Sequence, residues 1–402
     1  MIRLALALAL ALALALAACR GAPAEAGSQA TIDRLVDSLA PAVERATGLT
    51  FQNRPRVELR TRDEVRTFIL AKVGEEFPPE RIRGVTTAYR LLGLIPDTLD
   101  LQALLLDLYT EQVAGFYDPA ARALYAVEGT DPAQLRLVIA HELVHALQDE
   151  HLPLDSLLRD RSSSDRIAAI QAVLEGHATI ASLRVLVPGG GMLDRPDFWQ
   201  NFRQQIRETQ TSMEVFRRSP MVLREGLVFP YLAGSDFMRW WEVARPGQPL
   251  PDLATLPQST EQILHPERFH AGDTPLAVAF ADTLGAILIE DTFGEMQLHI
   301  LAAHLRGGEV TTSLAAGWGG DRFRVYDTAG GSVLVWWKLF DSEVFARRYR
   351  VNTGQRLLDQ GRAGFRITMD SAQVNGRAAV RTVIAPAGWD GWDRVPGVVV
   401  GR

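Results

Sequence analysis

Up to about residue 305 the apolar residues recur mostly at helical spacing, and beyond it they fall into short alternating runs. Ile32, Leu35, Val36, Leu39 and Val43 mark a helix from Gln29 to Ala46 closed by Gly48, with Pro41 expected to kink or split it. Val57 to Arg60 alternates as a strand, and Val65, Phe68, Ile69 and Val73 carry a helix that starts at Asp63. Pro79 to Leu92 and Leu99 to Val113 read as two more helices. Gly115 to Val127 holds two short aromatic or branched runs around Asp118-Pro119, which predicts a β-hairpin. Asp131 to Glu150 predicts one buried helix, with Asp131 as N-cap, Pro132 at the first position, and Leu135, Leu137, Val138, Leu143, Val144 and Leu147 as apolar faces. Ile167 to Thr179 is a second apolar helix.

The run Pro188 to Gly191 is a break, and a more polar helical region follows from Asp197 to Arg217. Phe229 to Phe237 opens another helix that holds Trp240 and Trp241, and Ser259 caps a segment that His265-Pro266 stops. Ala277 to Leu305 is expected as two helices divided at Gly285 and Gly294. After it the pattern predicts strands at Phe323 to Tyr326 and Ser332 to Leu339, a helix from Ser342 to Gln355, and strands at Phe365 to Met369 and Ala378 to Ile384. The fold class is therefore α+β and predominantly helical. A main domain is expected over residues 29–305 and a small α+β subdomain over 306–402, in which Trp318, Trp336, Trp337, Trp389 and Trp392 are packing residues.

The first residues have a different pattern. Met1-Ile2-Arg3 is a short basic lead, and Leu4 to Ala18 is an unbroken Leu/Ala run that ends at Cys19. That run is too short for a comfortable membrane span, and small residues precede Cys19 as at a cleavage site. Residues 1–19 resemble a bacterial lipoprotein signal, which implies a lipidated Cys19. Residues 20–28, rich in Gly, Ala and Pro, then read as a tether, and the body is expected at the cell envelope, facing the periplasm or exterior. Cys19 is the single cysteine, so no intrachain disulfide is available and the core alone must stabilise the fold. The net charge is −6, and of 42 basic residues only Lys72 and Lys338 are lysine. No basic block stands out, which argues against nucleic acid as a partner.

The candidate chemistry lies in the helix from Asp131. His141 and His145 are four residues apart, so both imidazoles can address one ion from one helix face. Glu142 points about 100° away and can meet a water at that ion rather than the ion itself. This His-Glu-x-x-His arrangement is that of zinc peptidases. Two residues compete as third ligand. His151 has metzincin spacing, but Gln148 stands where metzincins carry a helix-breaking glycine. If the helix continues, His151 lies about 15 Å along the axis and about 80° off the face of His141. The other candidate is Glu175, in an apolar helix where a carboxylate needs a charged partner.

With His141, Glu142, His145 and Glu175 the stretch from 131 to 182 resembles the gluzincins, zinc metallopeptidases whose third ligand is a glutamate on a second helix. The resemblance implies a zincin-like metallopeptidase domain, a Zn²⁺ held by His141, His145 and Glu175, and Glu142 as general base. Many gluzincins carry an aspartate four residues after the metal glutamate, and here that position is Thr179. His177 lies on another face and is not expected as a ligand. Zinc peptidases also use a Tyr or His beside the oxyanion, for which the candidates are His265 and then Tyr231. The functional expectation is a membrane-anchored zinc peptidase acting on a peptide or protein. The alternative is a non-catalytic surface lipoprotein that binds a partner around a structural metal.

Overall fold

Helix starts follow caps written in the sequence. The computed structural model describes residues 28–187, 191–311, 313 and 315–401; the expected leader, Cys19 and nearly all of the tether lie outside them. Ser28 caps α1 (Gln29–Thr47) through Thr31 N, and Gly48 closes it in the left-handed conformation at φ 71°. The helix runs through Pro41 as one element rather than splitting there, since Leu39, Ala40 and Val43 are packed in the core on either side of the missing N–H. There follow β1 (Arg56–Arg60), α2 (Arg62–Glu76), α3 (Pro79–Leu91), α4 (Leu101–Gln112) and the hairpin β2 (Gly115–Asp118) and β3 (Ala123–Val127). Asp131 caps α5 (Pro132–His151), bonding Ala133 N and Gln134 N. After α6 (Leu154–Leu158), Ser163 caps α7 (Ser164–Leu186).

The helical part continues with α8 (Pro196–Ser212), α9 (Glu214–Arg218), α10 (Met221–Ala244), α11 (Thr260–Leu264) and α12 (Pro266–His270). The chain then forms β4 (Val278–Phe280), β5 (Ala286–Asp291), α13 (Gly294–Arg306), β6 (Trp318–Thr328) and β7 (Gly331–Phe340). Helix α14 (Glu343–Tyr349) passes through a π turn into α15 (Gln355–Gln360), and β8 (Phe365–Val374), β9 (Arg377–Pro386) and β10 (Val398–Val400) complete the fold. No helix among the described residues is long and apolar enough to cross a membrane.

Two sheets organise these elements. The first has the order β1-β3-β2, with β1 parallel and β2 antiparallel to β3, so β2 is an edge strand. The second is antiparallel, in the order β5-β6-β7-β9-β8, with β10 and β4 paired beside it. Here the structure corrects the expectation of two helices over Ala277 to Leu305: only the second half is helical. Ala286 to Asp291 pairs with β6 from Asp327 to Phe323, so cross-strand bonding decides a branched run that periodicity left ambiguous. The sheet thus takes its first strand from ahead of residue 306. Strand β7 is buried on both faces: Leu334, Trp336 and Phe340 join the helical core, while Val333, Val335, Trp337 and Leu339 join a second cluster with Trp389.

Two helices carry the site. α5 is apolar nearly all round and lies among α1, α7 and the hairpin, with Leu143, Val144 and Leu147 fully buried, each worth roughly 1.5–3 kcal/mol. α7 packs against α5 on one side and α10 on another. The α7–α10 crossing is unusually close, because Gly176 and Gly234 face each other. A Cβ built on Gly176 would fall 2.2 Å from the carbonyl of Gly234. Farther along, Arg184 and Glu242 join the two helices by paired hydrogen bonds of 2.6 and 2.7 Å.

Candidate metal centre

His141 and His145 project from consecutive turns of α5 toward Glu175 at mid-length of α7. Both histidines present Nε2, at 3.1 Å and 3.5 Å from Glu175 Oε2. The three ligand atoms lie within 4.8 Å of one another. Donor atoms about 2.0–2.1 Å from a tetrahedral ion sit roughly 3.3 Å apart, so these spacings suit one ion among three ligands. The other oxygen of the carboxylate, Oε1, is buried with no hydrogen-bond partner. An orphaned carboxylate oxygen in a dry interior is expensive unless a cation meets the group. The residues present therefore fit a metal ion, and among the described residues this is the one such group.

The electrostatics follow from burial against charge. Burial disfavours the charged form of His145, but Glu175 and then Glu142, with help from Gln148, outweigh it and push the imidazole up to about 9. Burial prevails at His141, which is held below the ordinary histidine range despite Glu175. Glu175 is lowered, because the two histidines outweigh its own burial. His177 is pushed down to about 3 by burial, with His145 and Arg184 adding to it.

Glu142 is fully buried, and its Oε2 accepts a hydrogen bond of 2.7 Å from the backbone N–H of Tyr117. That N–H is free to donate because β2 is an edge strand. The Tyr117 hydroxyl in turn donates to Asp149 Oδ2 at 2.9 Å, so the hairpin is fastened to α5 at two points, one between the two histidines and one a turn beyond them. Gly115 allows this approach, since a Cβ there would lie 2.6 Å from Val138 Cγ1 on α5.

The remaining candidates divide. The ring of Tyr231 lies against His141, with centroids 6.2 Å apart and planes at 28°. His265 belongs to a different cluster: its Nε2 is 3.1 Å from Glu295 Oε1, an oxygen that His299 Nε2 shares. His151 sits at the exposed end of α5, which does continue through Gln148, and its Nδ1 faces the Leu147 carbonyl. Thr179 is fully buried one turn after Glu175, its hydroxyl without a partner. The polar contact that the sequence reading missed is Gln148, whose Oε1 is 2.8 Å from His145 Nδ1. Its position three residues after His145 on a helix was the available signal, since such residues are neighbours. Tyr117 was missed because its contact with Glu142 is made by the backbone.

No protein-family model and no curated protein matches the chain. Among solved structures it is similar to a proposed hydrolase with a novel fold from Chloroflexus aurantiacus, at 20% identity and a TM-score of 0.42. The match covers 67% of this chain and 96% of that one.

Proposed function

We propose that this chain is a zinc-dependent hydrolase of peptide bonds, held at the cell envelope by a lipid on Cys19 and facing the periplasm or exterior. The observation that carries the reading is a fourth buried side chain beside the triad. Glu142 is close enough to act on His145 electrostatically, and a purely structural site has no use for it. Two histidines and a carboxylate, with a further position left open, are a ligand set of catalytic zinc. Bound Zn²⁺ supplies Lewis acidity, polarising a carbonyl and acidifying water.

The chain's own residues would do the rest. Glu142 takes a proton from the attacking water as the water oxygen bonds to the peptide carbonyl carbon, then passes it to the nitrogen as the C–N bond breaks. The Tyr117 N–H holds one oxygen of that carboxylate and so fixes its direction. Strand β2, at a sheet edge and one hydrogen bond from Glu142, is the strand along which an extended peptide would lie. Tyr231, its ring against His141, is assigned the role of steadying the developing oxyanion. His265, engaged by Glu295, is left out of it.

One observation favours a second reading, a lipid-anchored surface protein built around a structural metal. His141 is 4% exposed, His145 1%, and Glu142 and Glu175 are 0%. Zinc analysis and a peptide-library digest with and without a hydroxamate separate the two, because the inhibitor needs an open coordination position. The hydrolase reading expects stoichiometric zinc and cleavage that the hydroxamate stops. Zinc without cleavage or hydroxamate binding establishes the second reading.

A further inference from the structure

Gln148 is fully buried on α5, and its amide is engaged at both the oxygen and the nitrogen end. Its Oε1 is 2.8 Å from His145 Nδ1, while its Nε2 donates to the Leu174 carbonyl at 2.9 Å and faces His177 Nδ1 at 3.0 Å. A carbonyl oxygen can only accept, so the amide nitrogen must be the end that faces Leu174. The amide oxygen therefore faces His145, and it too can only accept. The proton on Nδ1 of His145 is thereby fixed, and Nε2 is the ring nitrogen left to face Glu175. The second amide hydrogen goes to His177, which accepts on Nδ1 and carries its own proton on Nε2.

We infer that Gln148 is the positioning residue of the metal centre, aiming His145 and tying α5 to α7 at the residue before Glu175, so that one amide sets two ligands. The inference rests on the metal reading above. A carboxylate could also accept from His145, but it would add a third negative charge to a pocket that already holds Glu142 and Glu175. It would also turn a lone pair toward the Leu174 carbonyl. A neutral amide orients the ring without either penalty, and outer partners of this kind commonly govern how tightly a metal is held.

The test uses the purified full chain, stripped of metal and reloaded with Zn²⁺ or Co²⁺. Gln148→Met keeps side-chain length and packing but makes none of the three hydrogen bonds. Zn²⁺ affinity, read by competition with a chromophoric chelator, should fall about 10–100-fold. In the Co²⁺-loaded chain, the exchangeable Nδ1 proton resonance of one ligand imidazole, sharp in the wild type, should broaden into solvent exchange. Gln148→Asn cannot span from Leu174 to His145 and should give the same two losses, which covers the case in which the methionine variant does not fold. His177→Leu removes only the third bond and should leave resonance and affinity unchanged. If either Gln148 variant binds Zn²⁺ as the wild type does and keeps the resonance, Gln148 merely packs and the inference is overturned. The same holds if His177→Leu loses as much as Gln148→Met. A wild-type chain that takes up neither metal sinks the metal reading itself, and this inference with it.

Discussion

Replacing Gly176 with alanine adds one methyl group at the close crossing of α7 and α10. Its Cβ would stand 2.2 Å from both C and O of Gly234 and 2.7 Å from Ser235 N, where carbon contacts ordinarily settle at about 3.5–4.0 Å. The helices must part by roughly 1 Å or more to restore that spacing. All three obstructing atoms are backbone, so no rotamer change relieves the clash. The cost should lie at or above the upper end of the range for overpacked cores, about 3 kcal/mol. The parting would also carry Tyr231 away from His141, because Tyr231 lies one turn before Gly234. Urea unfolding of the metal-free chain, followed by circular dichroism, measures the effect. Gly74→Ala, in the last turn of α2, is the control: no heavy atom lies within 4 Å of its Cβ, and the change should stabilise by no more than about 1 kcal/mol. If Gly176→Ala unfolds at the wild-type midpoint or above it, the close crossing is not what sets the spacing of these helices.

Two other outcomes follow from buried carboxylates. Glu175→Gln keeps the side-chain shape and removes the anionic ligand, so its loss of Zn²⁺ affinity in chelator competition should exceed the roughly 100-fold upper end for outer partners; an unchanged affinity would take Glu175 out of the ligand set. Burial and the neighbouring Glu295 push Glu261 up to about 9, while the opposing Arg268 is divided among Glu261, Asp273 and Asp341. In the unfolded chain the group ionises near its ordinary 4.5, so its contribution to stability is whole below that pH and is lost as pH rises toward 9. Wild-type stability in urea should therefore fall more steeply between about pH 5 and about pH 8.5 than that of Glu261→Gln. Equal slopes would mean that Glu261 is ionised in the fold.

What could be read from the sequence was what local chemistry decides. Asp131-Pro132 announced the start of α5, and the His141–His145 spacing placed two rings on one face whatever else the chain did. Glu175 was legible because a carboxylate in an apolar helix demands a partner. The run Ala286 to Asp291 was misread because only its pairing with β6 makes it a strand, and that partner lies more than thirty residues away. In the sequence Gln148 stands out solely as a residue in place of the metzincin glycine, since its amide acquires meaning only when Leu174 and His177 arrive from α7. His265 is a candidate by residue type, and nothing local in the sequence reveals that Glu295 engages it.

The most direct test of the proposed chemistry is Glu142→Gln in the full chain, assayed for zinc content and peptide cleavage together. The amide keeps the size of the side chain but cannot take the proton of a water. The account predicts wild-type zinc and a cleavage rate lower by about 10²–10⁴-fold, the usual worth of a general base. A zinc-loaded variant that cleaves at the wild-type rate would contradict it.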